Sequence, residues 1–380
     1  MIRIKSDKII AGDSVVSGYV YIENGKIAGL TQEVKSADKE YDMTGLYVSP
    51  GFIDMHTHGG AGYDFVGSTE DVVAGSNFHL THGTTSICPT ISAAPIDVME
   101  KAVRSVKAAM ASGEAKSNII GAHLEGPYLS KKQCGAQCTD FIVPPVEEDY
   151  KRLVREYGDA IARWSYAPEN DENGTFCKYI SENGIVASAG HTDAIYEDMR
   201  TASENGCKLV THLYSCTSTI TRDHGFRRLG VIESAYLDDD MYLEIIADGK
   251  HLPAELVRLI LKIKGSDKVA LVTDSLALAG SDITHGFMLE TEFIIEDGVC
   301  KLMDRTAFCG SIATSDVLVR FMVNEVGVSL CDAVKMITKV PAEIMGLNKG
   351  RLEAGYDADI IVFDGDINVR KAFVMGREVL

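Results

Sequence analysis

Between residues 51 and 345, short apolar or β-branched runs alternate with helical stretches. There are eight such runs, at 52–58, 83–90, 118–125, 161–168, 185–191, 208–213, 242–248 and 268–274. Helical patterns follow most of them; in 96–111, Val98, Ala102, Val106 and Ala109 recur at helical spacing. Eight β–α units in one stretch predict an α/β fold of the TIM (β/α)8 barrel type, whose usual size is about 250 residues. A doubly wound sheet would also alternate in this way, but it would seldom set a polar residue at nearly every strand end.

The two chain ends have a different texture. Ile2 to Ile4, Tyr19 to Glu23 and Lys26 to Leu30 are short and alternating, and Glu23-Asn24-Gly25-Lys26 is a strong hairpin signal. Asp359 to Phe363 and Lys371 to Met375 are short apolar runs, followed by a tight turn at Met375-Gly376-Arg377-Glu378. Neither end can hold a core alone. The two are expected to pair as one small β-sandwich domain, residues 1–50 with 346–380, beside a hydrolase barrel at 51–345.

In such a barrel the active site forms at the C-terminal ends of the strands, and the expected ends carry an unusual set. The first closes in His56-Thr57-His58, the third in His123-Leu124-Glu125, the fifth in Gly190-His191-Thr192, the sixth in Thr211-His212 and the eighth in Thr273-Asp274. Side chains on a strand alternate with period two, so His56 and His58 share a face, as do His123 and Glu125. Paired imidazoles suit a divalent transition metal. Glu125, His191 and His212 add three ligands and Asp274 a carboxylate at the rim. One histidine near a strand end is usually a hydrogen-bonded structural residue. Four histidines and two carboxylates spread over five strand ends are poorly explained that way and predict a metal site. His123 is expected to orient Glu125 from behind. His79 and His82 read as a packed or solvated helix face, and Cys134 and Cys138, lacking two further close ligands, as ordinary thiols.

Charge and composition narrow the partners. The net charge of −18 disfavours nucleic acid and anionic membranes. No apolar stretch reaches the roughly 18 residues of a membrane span. The N-terminus lacks a signal-peptide core, and nine scattered cysteines read as reduced thiols, so a cytoplasmic location is expected. An anionic substrate would need local cations. Arg222, Arg227 and Arg228, clustered after the sixth run, supply them.

Taken together, these stretches resemble a known family. Pro50-Gly51-Phe52-Ile53-Asp54-Met55-His56-Thr57-His58-Gly59-Gly60 looks like the opening metal motif of the amidohydrolase superfamily. Leu124-Glu125-Gly126-Pro127-Tyr128 resembles that of the N-acetylglucosamine-6-phosphate deacetylases within it. So do Ala167-Pro168-Glu169, Gly190-His191-Thr192, Thr211-His212-Leu213-Tyr214, Ile246-Ala247-Asp248-Gly249 with His251, and Val272-Thr273-Asp274. The resemblance implies Glu125, His191 and His212 as ligands of a main divalent ion, zinc, iron or similar, with His56 and His58 permitting a second. It implies Asp274 as general acid/base and auxiliary ligand, His251 beside the substrate's carbonyl or sugar, and a homodimer. The implied reaction converts N-acetylglucosamine 6-phosphate to glucosamine 6-phosphate and acetate. Three substrate-contact stretches depart from the family pattern. Gln137 stands where a histidine is usual, Ser215 and Cys216 where Asn-Ala is usual, and the phosphate-binding Arg-Glu-Pro-Gly becomes Arg222-Asp223-His224-Gly225. The alternative they leave open is a different N-acetyl amino sugar phosphate or another small amide.

Overall fold

The computed structural model describes residues 1–288 and 291–380. Its centre is a ring of parallel strands at Phe52–Thr57, Thr84–Ser92, Ala122–Glu125, Ile161–Tyr166, Val186–Ala189, Leu209–Val210, Tyr242–Ile246 and Val269–Val272. Each pairs with the next in chain order. A parallel bridge between Thr57 and Ser275 joins last to first. Hydrogen bonds from Asp274 N to His56 O (2.9 Å) and from His58 N to Ser275 O (2.7 Å) complete the join. With helices between the strands, this is the (β/α)8 barrel that the alternation predicts. Closure matters to the site because it sets the first motif of the chain against the last.

The strand ends are shorter than the apolar runs suggest. The fifth, sixth and eighth stop at Ala189, Val210 and Val272, because His191, His212 and Asp274 adopt left-handed backbone angles, with φ of 47°, 27° and 48°. Such angles cost non-glycine residues about 1–3 kcal/mol each and cluster at functional sites. Gly190 lets two of these ends approach, since a Cβ there would lie 2.7 Å from the Thr211 Cβ.

The helices follow from ordinary patterning. Ile96–Ser112 buries Met99, Ala102, Val103, Val106 and Ala109 on one face and ends at Gly113 in the left-handed region. Thr69–Leu80 starts on a reciprocal Ser68–Asp71 capping box.

Eight strands from the two chain ends form a second sheet. Tyr47–Pro50 pairs antiparallel with Ile360–Phe363, which joins the N-terminal strands to the C-terminal ones. Ile4, Ile9, Val20, Ile22, Val48, Ile360, Val362 and Phe373 share its buried core. Between the last barrel strand and the helix Ser315–Phe321 lies a three-stranded antiparallel sheet, His285–Met288, Thr291–Glu296 and Val299–Leu302. The strand–helix alternation gives no hint of it. No helix among the described residues is long and apolar enough to cross a membrane.

Candidate active site

At the C-terminal mouth of the barrel the six expected ligands meet, all buried. Glu125 is the hub. Its Oε1 lies 3.0 Å from His212 Nε2, 3.2 Å from His191 Nε2 and 3.4 Å from His56 Nε2, while Oε2 lies 3.3 Å from His58 Nε2. Asp274 Oδ1 lies 3.1 Å from His58 Nε2 and 3.3 Å from His56 Nε2. Three overlapping triplets could each hold an ion: His56, His58 and Glu125; His56, His212 and Asp274; Glu125, His191 and His212.

The outer nitrogen of every imidazole is already engaged. His56 Nδ1 meets Glu244 Oε1 at 2.7 Å, His58 Nδ1 the Ser92 hydroxyl at 3.0 Å, His191 Nδ1 the Gln133 carbonyl at 2.9 Å and His212 Nδ1 the Ser215 carbonyl at 3.0 Å. All four therefore turn Nε2 inward, and His56 Nε2 has no hydrogen-bond partner. Two ligands about 2.0–2.2 Å from one tetrahedral ion sit about 3.4 Å apart, close to the separations found here. The donor set fits a divalent metal.

The cluster opens into a cavity of about 280 Å³ lined by His58, Glu125, Gln137, His191, His212, Tyr214, Ser215, Cys216, His251, Asp274, Phe308 and Cys309, among others. The amidohydrolase family model matches residues 47–379, nearly the whole chain. The chain belongs to the amidohydrolase family. The N-acetylglucosamine-6-phosphate deacetylase of Bacillus subtilis (strain 168) is 32% identical over 379 residues, covering 96% of this chain and 94% of the relative. That of Lysinibacillus sphaericus is 30% identical over 365 residues, covering 94% and 92%. Among solved structures, the N-acetyl-D-glucosamine-6-phosphate deacetylase of Mycobacterium smegmatis superposes with a TM-score of 0.92 at 26% identity, over 100% of both chains. That of Pasteurella multocida gives 0.92 at 28% identity, over 100% and 99%.

The electrostatics of this amidohydrolase centre call for positive charge between its carboxylates. Burial alone would lower the His56 and His58 imidazoles. Glu244, Glu125 and Asp274 overcome this and raise His56 to about 10; Asp274 and Glu125 raise His58 to about 9. Burial likewise works to raise Asp274, yet the imidazoles of His56 and His58 hold it at about 2. Protons on inward-facing nitrogens can supply the missing charge, and so can a metal ion.

His251 is set by a residue the motif reading leaves unexplained. Asp248 Oδ1 accepts the backbone N–H groups of Lys250 and His251, both at 2.9 Å, and Oδ2 meets His251 Nδ1 at 2.9 Å. The imidazole packs edge-on against Phe308, so a residue from the unforeseen insert forms part of this amidohydrolase's cavity wall. Gln137 reaches the site and is itself tied: its Nε2 donates to Glu125 Oε2 at 2.8 Å, and its Oε1 accepts from Ala93 N at 3.0 Å.

Other expectations meet a different arrangement. His123 does not touch Glu125. Its nitrogens meet Ser165 Oγ at 2.7 Å and Thr90 Oγ1 at 3.1 Å, inside the barrel, because it sits two strand positions, one inward-facing layer, below Glu125. The arginine cluster is exposed on a hairpin, Thr221–Asp223 paired with Phe226–Arg228, where Arg222 faces Arg227. None of Arg222, Arg227 and Arg228 lines the cavity of the single chain. His79 and His82 are structural, as expected: His79 is buried and bonded to the Gly59 carbonyl at 2.7 Å, while His82 pairs with Asp316.

Proposed function

We propose that this chain is a divalent-metal-dependent deacetylase that hydrolyses N-acetylglucosamine 6-phosphate to glucosamine 6-phosphate and acetate. The observation that carries the reading is Glu125, in Leu-Glu-Gly-Pro, standing as hub to four inward Nε2 atoms beside Asp274. The deacetylase names of relatives spanning nearly the whole chain support the substrate.

Glu125, His191 and His212 would hold the main ion, with His56, His58 and Asp274 beside them for a second; imidazole with carboxylate suits zinc, iron or similar. A divalent ion held there would supply water activation near neutral pH and polarisation of a carbonyl. An amide also needs a proton taken from the attacking water and one given to a poor leaving group. Asp274, ionised and at the mouth, accepts the proton from water on one oxygen and passes it to the amide nitrogen as the C–N bond breaks. His251, with Nδ1 held by Asp248, turns Nε2 to the substrate. Gln137 fixes Glu125 and closes one wall.

The phosphate falls to Arg222, Arg227 and Arg228, acting across a homodimer. Their absence from the chain's own cavity fits that reading, as does the 77% exposure of Phe226 on the same hairpin. Nine free thiols suit the reducing cytoplasm. Ser215 and Cys216, both in the cavity wall, favour as second reading a different N-acetyl amino sugar phosphate or another small amide. Acetate release from N-acetylglucosamine 6-phosphate, measured before and after metal stripping and restoration, tests the proposal. Full activity in protein that stays metal-free would end it.

A further inference from the structure

Below the metal cluster the barrel interior holds a buried ion pair, Arg163 with Glu244, on the fourth and seventh strands. Both side chains are 0% exposed. Arg163 is pinned by Thr211 Oγ1 at 2.9 Å, Ser188 Oγ at 3.2 Å and the Met55 carbonyl at 3.2 Å. Glu244 Oε1 faces upward, 2.7 Å from His56 Nδ1 and 3.3 Å from the backbone nitrogen of His212. A buried ion pair is commonly no better for stability than apolar residues of the same size. Its retention here asks for another role.

We propose that Glu244, anchored by Arg163, is the positioning residue that commits His56 to a second metal ion. The contrast among the four imidazoles carries the inference. His58, His191 and His212 give their outer nitrogens to a hydroxyl or a backbone carbonyl; His56 alone meets a carboxylate. A carboxylate there keeps the proton on Nδ1, leaves the Nε2 lone pair free and makes it more basic. His56 Nε2 in turn faces Asp274 Oδ1 at 3.3 Å and Glu125 Oε1 at 3.4 Å without a hydrogen bond to either. Arg163 keeps the carboxylate ionised and fixed, so the imidazole it supports cannot turn away. The chain is thereby built for two ions rather than for one beside an idle His-x-His pair.

The proposal rests on reading the centre as a metal site, and its test reads metal binding rather than turnover. Metal-stripped protein is titrated with zinc by calorimetry and with cobalt by visible absorption. Wild type is expected to bind two equivalents. Glu244→Gln should bind the first as wild type does and the second about 10–100-fold more weakly. Should Glu244→Gln fail to fold with Arg163 left unpaired, the paired variant Arg163→Met with Glu244→Leu removes both charges and should show the same selective loss. The proposal is overturned if wild type binds one equivalent, if either folded variant binds both at wild-type strength, if both equivalents weaken alike, or if neither variant folds. Two tight equivalents in both variants would defeat this inference alone. Metal-free protein with full deacetylase activity would instead defeat the functional reading beneath it.

Discussion

Asp274 Oδ1 lies 3.1 Å from His58 Nε2, although 216 positions separate the two in the chain. Barrel closure creates this neighbourhood, and it puts the proposed acid/base against the first metal motif. Asp274→Asn keeps the shape and removes the proton acceptor. Turnover should fall about 10²–10⁴-fold, while the main ion stays bound because Glu125, His191 and His212 are untouched. Single-turnover kinetics with metal analysis on the same sample check both halves. A variant retaining more than about a tenth of wild-type turnover would assign the base elsewhere.

Glu125 should be the least replaceable ligand, since both of its oxygens face imidazoles. Glu125→Ala and His212→Ala should each lose bound metal and activity together. His56→Ala should lose one equivalent and keep part of the activity if one ion suffices. Elemental analysis of the purified variants, beside their acetate release, separates the cases.

The arginines make the riskiest prediction. They lie off the cavity of one chain, so the proposed phosphate role depends on the proposed homodimer bringing one chain's hairpin to the other's cavity. Changing the true phosphate arginine among Arg222, Arg227 and Arg228 to Ala removes a charge-assisted bond worth about 1.5–3 kcal/mol. That should lower kcat/KM for the phosphorylated sugar by about 10–150-fold and leave the unphosphorylated sugar unchanged. Arg→Lys should rescue only in part, since a point charge lacks the paired donors. Sedimentation of the wild type should report a dimer. A monomer with full activity would contradict this assignment.

Acid should weaken the fold through His79. Burial lowers its pKa from 6.5 to about 4; Nε2 donates to the Gly59 carbonyl and Nδ1 has no partner. The unfolded chain therefore takes up the proton first. The contribution of His79 should be constant above pH 6.5, fall as pH drops from 6.5 toward 4, and level off below that. One proton contributes a slope of about 1.4 kcal/mol per pH unit. His79→Gln can keep the bond to Gly59 without titrating. Urea unfolding of both proteins between pH 7 and 4 should show a shallower decline in the variant, and parallel curves would exclude His79 as the cause.

The metal ligands are legible in the sequence because period two pairs His56 with His58 and because each remaining ligand terminates an apolar run. Where those runs end is less legible: backbone reversal at His191, His212 and Asp274 cuts the strands short, and side-chain pattern does not encode φ. Glu244 and Arg163 do leave a signal, a lone charge inside Leu243-Glu244-Ile245 and inside Ala162-Arg163-Trp164. Its meaning depends on a partner three strands away. The insert carrying Phe308 hides where a strand-to-helix loop is expected, though Asp297-Gly298 marks its second hairpin, with φ of 55° and 75°. The arginine hairpin is visible as a charge cluster, but sequence spacing cannot say which chain's cavity it serves.

The most direct test is a comparison of kcat/KM for N-acetylglucosamine 6-phosphate, its galacto epimer and unphosphorylated N-acetylglucosamine with metal-replete enzyme. The phosphorylated gluco sugar should be preferred over the unphosphorylated one by at least about 10-fold, the contribution of one charge-assisted phosphate contact, and should exceed the epimer. Equal or greater activity on the unphosphorylated sugar, or on the epimer, would contradict the substrate and leave the cavity to the amide that Ser215 and Cys216 select.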